Sequence, residues 1–215
     1  MTKQNKMNKT LRYILWSVVI LLLLYFSFDI RNLDEYKSSV KADYFDAEAY
    51  INNVWENKMP VIARQAPEIS VVLDLLENNP NKAFSEYGNK LGISTTWYFM
   101  VKGQGVLDEE DAEAVWINLA NNRRIRLATA FIFGNAVREG SGVVNINDFV
   151  NMTDFNNVSV ALNKKVKTEV IPVLKNNLIA GQQISFAGAF EFSEDTDSLS
   201  DIRIIPVSVK TNDAE

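Results

Sequence analysis

The chain has 215 residues, 47% of them hydrophobic and 23% charged, the composition of one ordinary globular domain with room for an appendage. It contains no histidine and no cysteine, which excludes disulfides, a thiolate nucleophile, Ser-His-Asp or Cys-His catalysis and ordinary zinc ligation. A net charge of -5, with 27 acidic against 22 basic residues, argues against a nucleic-acid partner, because phosphate binding rests on Lys and Arg.

Residues 1–10 form a basic tail with Lys3, Lys6 and Lys9, followed closely by Arg12, and this stretch holds no acid. From Tyr13 to Phe28 no residue is charged. That run rises about 24 Å as a helix, so a span of the roughly 30 Å hydrocarbon core needs residues 11–30 with Arg12 snorkelling. A cleaved signal peptide ends in small residues, whereas the exit here is Tyr25-Phe-Ser-Phe-Asp-Ile-Arg31. The expectation is a retained anchor in the lipid bilayer, with a cytoplasmic N-terminus and the bulk of the chain outside. Residues 31–43 are polar and read as a stalk.

Residues 44–95 read as a helical subdomain. Asp46 suits an N-cap, with Phe45 and Tyr50 as a hydrophobic staple, and Tyr50, Ile51, Val54 and Trp55 form an apolar face up to a break at Pro60. Ile69, Val72, Leu73 and Leu76 keep helical spacing, and Asn79-Pro80 opens a third helix with Ala83, Phe84 and Tyr87 inward. Gly88 and Gly92 supply stops.

After Thr96 the period becomes two. Strands are expected at Trp97–Val106, around Val115, Ile117 and Leu119, and from Ile125 to Phe131 after an Asn121-Asn122 turn. A loop over 134–156 and an inserted helix at 157–175 precede strands at Ile184–Phe192 and Ile202–Val209. Three strands, a helix and two strands is the order of an OB-type barrel, although other α+β meanders share it and order alone does not prove closure. The fold class is therefore α+β: an OB-like five-stranded β-barrel over 96–209, the helical subdomain, one N-terminal transmembrane helix, and a tail at 210–215.

Four stretches in this order resemble domain-of-unknown-function family 2291, described as predicted periplasmic lipoproteins. They are Phe45-Asp-Ala-Glu-Ala-Tyr-Ile-Asn-Asn-Val-Trp55, Tyr98-Phe-Met-Val-Lys-Gly-Gln-Gly105, Asn145-Ile-Asn-Asp-Phe-Val-Asn151 with Val160-Ala-Leu-Asn163, and Ile184-Ser-Phe-Ala-Gly-Ala-Phe190 with Ile205-Pro-Val-Ser208. The resemblance implies an OB-like barrel with added helices, a place in the bacterial periplasm, and genes that often sit beside sugar-type ABC importers. It implies no activity. Without a cysteine the hydrophobic helix has to replace the family's lipid, anchoring the protein to the inner membrane.

The segment 134–163 is unusually rich in amides. Arg138, Asn145, Asn147, Asp148, Asn151 and Asn163 lie among Phe149 and Phe155, and such donors, acceptors and rings suit the hydroxyls of a neutral sugar. The same residue types form turns, and an Arg138–Asp148 pair would merely hold a loop in place. Asp108 to Asp111 with Glu113, and Glu194, Asp195 and Asp197, read as solvated turns rather than cation sites. Gly103 and Gly105 lack the third glycine and the following helix of a dinucleotide loop. Trp55, Trp97, Tyr98 and Trp116 are assigned to the core, and Arg124 and Arg126 to a solvated strand face. No catalytic residue, cofactor or metal is assigned. The expected function is that of a non-enzymatic, membrane-anchored accessory or binding protein for a sugar-type ABC importer, whose partners are the bilayer, importer components or a small sugar. The alternatives are a carboxylate-dependent carbohydrate hydrolase or a structural envelope module.

Overall fold

The computed structural model describes residues 9–27, 45–176, 179–194 and 198–211. The chain divides into two compact units, Met1–Phe45 and Asp46–Glu215.

The first unit contains helix α1, Lys9–Ser27. Residues 1–8, the expected stalk and the last three residues of the expected span lie outside the described residues. Among the described residues no helix is long and apolar enough to cross a membrane, and the expected 11–30 span, which runs past them, is not supported there.

The second unit opens with four helices, α2 (Ala47–Asn57), α3 (Met59–Gln65), α4 (Ile69–Asn78) and α5 (Pro80–Tyr87). Asp46 caps α2 by accepting from Ala49 N at 2.9 Å. Pro60 marks a complete break, falling in the first turn of a new helix where its missing N–H costs nothing. Asn79 caps α5 at Lys82 N. The stripe Ile69, Val72, Leu73 and Leu76 is buried in the barrel core, so α4 plugs the barrel rather than forming a separate subdomain core.

The strands are β1 (Gly88–Asn89), β2 (Thr96–Glu110), β3 (Ala114–Leu119), β4 (Arg124–Ala128), β5 (Gln183–Ser193) and β6 (Arg203–Thr211). Their order is β1-β2-β3-β4-β6-β5, and β2 also pairs with β5, closing five strands into a barrel. Among the pairings of the described strands only β4–β6 is parallel. β2 reaches both neighbours because it is long: Thr96 to Val106 pair with β5, and the segment from Gly105 onward pairs with β3. Inward residues alternate as expected, with Phe99, Val101 and Leu107 on β2 facing Ile117, Ile125 and Phe190. A side chain at Gly103 would put its Cβ 2.8 Å from Ile69 and 2.9 Å from Phe186. Glycine there lets α4 approach the barrel interior.

Three boundaries differ from the sequence reading. β4 ends at Ala128, because Phe131 takes a left-handed φ of 51° that no strand accommodates. The expected 134–156 loop contains helix α6 (Ala136–Ser141) and a 3-10 turn, Ile146–Asp148. The inserted helix begins earlier, as α7 (Met152–Lys165), and continues through a π-helical turn, Val166–Val170, into α8 (Ile171–Asn176). The π turn precedes Pro172, which has no N–H to close an α-helical bond.

Candidate functional site

Four of the six expected site residues, Arg138, Asn145, Asn151 and Asn163, hold the 134–163 segment together. Arg138 is 1% exposed on α6. Its Nε donates to Glu139 Oε1 at 2.7 Å and its Nη1 to Phe155 O at 2.8 Å, while its guanidinium lies 3.6 Å from the Phe155 ring centroid. The anticipated Arg138–Asp148 pair is thus replaced by Arg138–Glu139, which are neighbours on α6. Asn163, buried on α7, donates to Gly134 O at 2.9 Å. Asn145 accepts from Asn147 N, and Asn151 accepts from Asp154 N, both at 2.9 Å, so each caps a helical turn. Asp148 lies near Tyr50, whose hydroxyl pKa is raised by burial and then by that carboxylate. None of the six lines either of the two larger clefts.

A different set of polar residues lines open space. β4 turns Ile125 and Leu127 into the core and Arg124 and Arg126 outward, and β6 brings Arg203 into register with Arg126. Beside this pair lies a cleft of about 490 Å³, within the size range of small-molecule sites. Its charged lining is balanced, with Arg126 and Arg203 against Glu191 and Asp201. Ser198, in the loop between β5 and β6, adds a hydroxyl, and Phe133 stands on the rim, 68% exposed.

The arginines are positioned from both sides. Arg126 meets Asp201 at 2.6 Å, and its Nε is buried with no hydrogen-bond partner among the described residues. Arg203 Nη2 donates to Ala130 O at 2.6 Å and to Phe131 O at 3.2 Å, gripping the segment that carries Phe131 and Phe133. Burial pushes the Arg203 guanidinium below its usual pKa, and Arg126 beside it pushes the same way, against the opposing pull of Glu113 and Glu191. Phe131 is 61% exposed in a backbone conformation that is an outlier for a bulky residue. Strain of this kind is tolerated where the surroundings over-determine it and concentrates at functional sites.

Next to the cleft, Trp116 on β3 lies under Arg124 at 4.1 Å and Arg126 at 5.4 Å. Its Nε1 donates to Asp111 Oδ2 at 2.8 Å. Asp111 also accepts from the backbone of Glu113 and Ala114. The Glu113 bond first, then Trp116 and Ala114, hold the Asp111 carboxyl below its ordinary pKa. Asp108 and Glu109 pair with Arg124, so part of the acidic run answers the basic strand opposite. Trp116 therefore departs from the expected core assignment, since Val115 and Ile117 occupy the inward positions. Trp97 stays half-buried, stacked 4.7 Å from Phe84.

Sequence reasoning missed Phe133, Glu191, Ser198, Asp201 and Arg203, which come from three distant stretches joined by barrel closure. The one local signal was the run Phe131-Ile-Phe133-Gly134, which alternates like a strand and conceals two exposed rings around a buried Ile132.

A family model described as "Predicted periplasmic lipoprotein (DUF2291)" matches residues 18–210. A crystal structure of an OB-fold protein from Thermotoga maritima MSB8 superposes with a TM-score of 0.69 at 24% identity, covering 79% of this chain and 99% of that one. That likeness supports the closed barrel. No curated protein matches the chain.

Proposed function

The chain belongs to the DUF2291 family of predicted periplasmic lipoproteins, and from that premise we propose that it is a membrane-tethered periplasmic protein that binds a small, neutral, polyhydroxylated ligand in the Arg126–Arg203 cleft. The observation that carries this reading is the charge-balanced cleft of about 490 Å³ with an exposed phenyl ring on its rim. Guanidinium, carboxylate and hydroxyl groups supply both donors and acceptors for sugar hydroxyls, and a ring covers the apolar face of a pyranose or furanose. The position agrees by analogy of fold. OB barrels that bind oligosaccharides use the face of their second and third strands and the loop between the fourth and fifth; of these, the cleft takes Arg126 from β4, the third barrel strand, and Ser198 and Asp201 from the β5–β6 loop.

Tethering is assigned to α1, because the sequence offers no cysteine for a lipid. Insertion of α1 would use Arg12 and the residues after Ser27 to complete the bilayer crossing. The proposed partner is a sugar-type ABC importer, a reading supported by the gene company of the family that the chain resembles.

The test is calorimetry on the detergent-solubilised full chain with ribose, glucose and galactose. At least one should bind with a Kd below about 1 mM, equivalent to about 4 kcal/mol. Phe133→Ala and Asp201→Asn should each weaken that sugar about tenfold. Absence of binding, or binding indifferent to both substitutions, would leave the structural-module reading in its place. Recovery of importer subunits from membranes on the wild-type chain tests the partner, and carbonate extraction with and without α1 tests the tether.

Glu191 and Asp201 in one cleft favour a carboxylate-dependent hydrolase as the second reading. Asp201 is committed to Arg126, so binding without turnover is preferred. Release of reducing sugar by the wild type, lost in Glu191→Gln, would reverse that preference.

A further inference from the structure

A second cleft of about 440 Å³ lies between α2–α3 and the strands β2, β5 and β6, and its chemistry is unlike that of the first. Its floor is apolar, built from Met59, Ala63, Phe186, Ala187 and Val207, all buried, with half-buried Trp55 at one side. Its charged lining is entirely cationic: Arg64, Lys102 and Lys210. In a chain with 27 acids and 22 bases, three cations around one apolar floor with no lining carboxylate is a local reversal of charge.

The cations retain bonding capacity. Lys102 Nζ donates to Arg64 O at 2.8 Å, which fixes the ammonium where α3 ends. An ammonium carries three donors, and the nearest carboxylate, Glu68, stands at 3.9 Å, beyond hydrogen-bond distance. Arg64 and Lys210 make no ion pair among the described residues. Ser208 lies on the same lining.

We propose that this cleft binds a small organic monocarboxylate with an apolar body, its hydrocarbon part on the Met59–Phe186 floor and its carboxylate among Lys102, Arg64 and Lys210. The apolar part contributes by leaving water, and the carboxylate accepts charge-assisted hydrogen bonds that none of the lining groups supplies internally. Neither half suffices alone. A simple anion such as acetate gains no apolar burial, and a neutral analogue leaves the cations facing one another across the floor. The site is separate from the sugar-class cleft and shares no lining residue with it.

The experiment uses the detergent-solubilised full chain and three probes: 2-naphthoate, its neutral isostere 2-naphthamide, and acetate. Binding is read by calorimetry and by quenching of tryptophan emission, because Trp55 lines the cleft. Naphthoate should bind at least tenfold more tightly than naphthamide and acetate. Lys102→Met should weaken naphthoate at least tenfold and reduce its salt dependence, with naphthamide unchanged. Because Lys102 also braces Arg64, the double variant Arg64→Gln, Lys210→Gln provides a second reading on exposed side chains and should produce a comparable loss with an unaltered melting point. Equal affinity for naphthoate and naphthamide, no binding of naphthoate, or full binding by the double variant would each overturn the proposal. The sugar titrations of the first cleft are scored on the same samples, so failure of one site is separable from failure of the other.

Discussion

The α6–α7 segment and the Arg126–Arg203 cleft are both rich in arginine, amide and carboxylate groups, yet the fold uses them in opposite ways. In the first, polar groups are matched to each other: Arg138 to Glu139 and Phe155 O, Asn163 to Gly134 O, Asn145 and Asn151 to helix starts. Even the Arg138 Nη2 that lacks an oxygen partner belongs to a guanidinium lying over the Phe155 ring. In the second, the charges border a cavity and Arg126 Nε has no partner among the described residues. Polar richness thus does not mark a site. Polar groups that border open space do, as Arg126, Glu191, Asp201 and Arg203 border the cleft, because a buried group already satisfied gains nothing from a ligand.

The contrast makes opposite demands on substitutions. Arg138→Met should have the largest effect, removing about 3–5 kcal/mol of stability by leaving Glu139 and Phe155 O buried without their partner. Urea unfolding of the full chain measures it. A variant as stable as the wild type that no longer captures sugar would invert the comparison. Gly140→Ala should cost about 2 kcal/mol, since its Cβ would lie 2.8 Å from Phe99 O and push α6 off β2. Unchanged stability there would mean that α6 is not clamped to the sheet.

How far the sequence carried depends on the range of the interaction. Local rules located the caps at Asp46 and Asn79, the α4 stripe and the inward alternation of β5, because each is decided within one or two turns of chain. The element order of three strands, a helix and two strands was legible too, but how the strands close was not, because that order alone does not fix the pairing. The cleft did not follow. It exists only because β4 and β6 meet in parallel, setting Arg126 beside Arg203 across more than 70 residues of chain. Composition pointed to 134–163 because capping and sugar binding draw on the same Asn, Asp and Arg side chains, and only the direction in which those side chains point separates them. Phe131 misled for a related reason: alternation predicts a strand, and a positive φ at one residue ends it.

Smaller effects sharpen the contrast. Asn151→Ala removes the N-cap of α7 and should lower stability by about 1 kcal/mol while leaving sugar affinity unchanged. A loss of affinity without loss of stability would return Asn151 to the site from which its capping bond removes it.

The smallest effect concerns Asp111, beside the cleft rather than in it. Its carboxyl pKa lies below the ordinary value because Glu113 N, Trp116 Nε1 and Ala114 N donate to the charged form. A depressed folded pKa means that the stabilisation is complete above the unfolded value of about 3.9 and disappears as pH falls through the folded one. Trp116→Phe removes only the second-ranked of these contributions and keeps the ring beneath Arg124 and Arg126. The Asp111 carboxyl, followed by NMR, should then titrate at higher pH than in the wild type while remaining below the ordinary value, and the chain should lose its stability at slightly higher pH on acidification. Cleft binding at neutral pH should not change, because Asp111 serves the hairpin between β2 and β3. An Asp111 titration indifferent to Trp116→Phe would show that the indole hydrogen bond is not made, leaving the ring beneath the arginines free to turn toward a ligand.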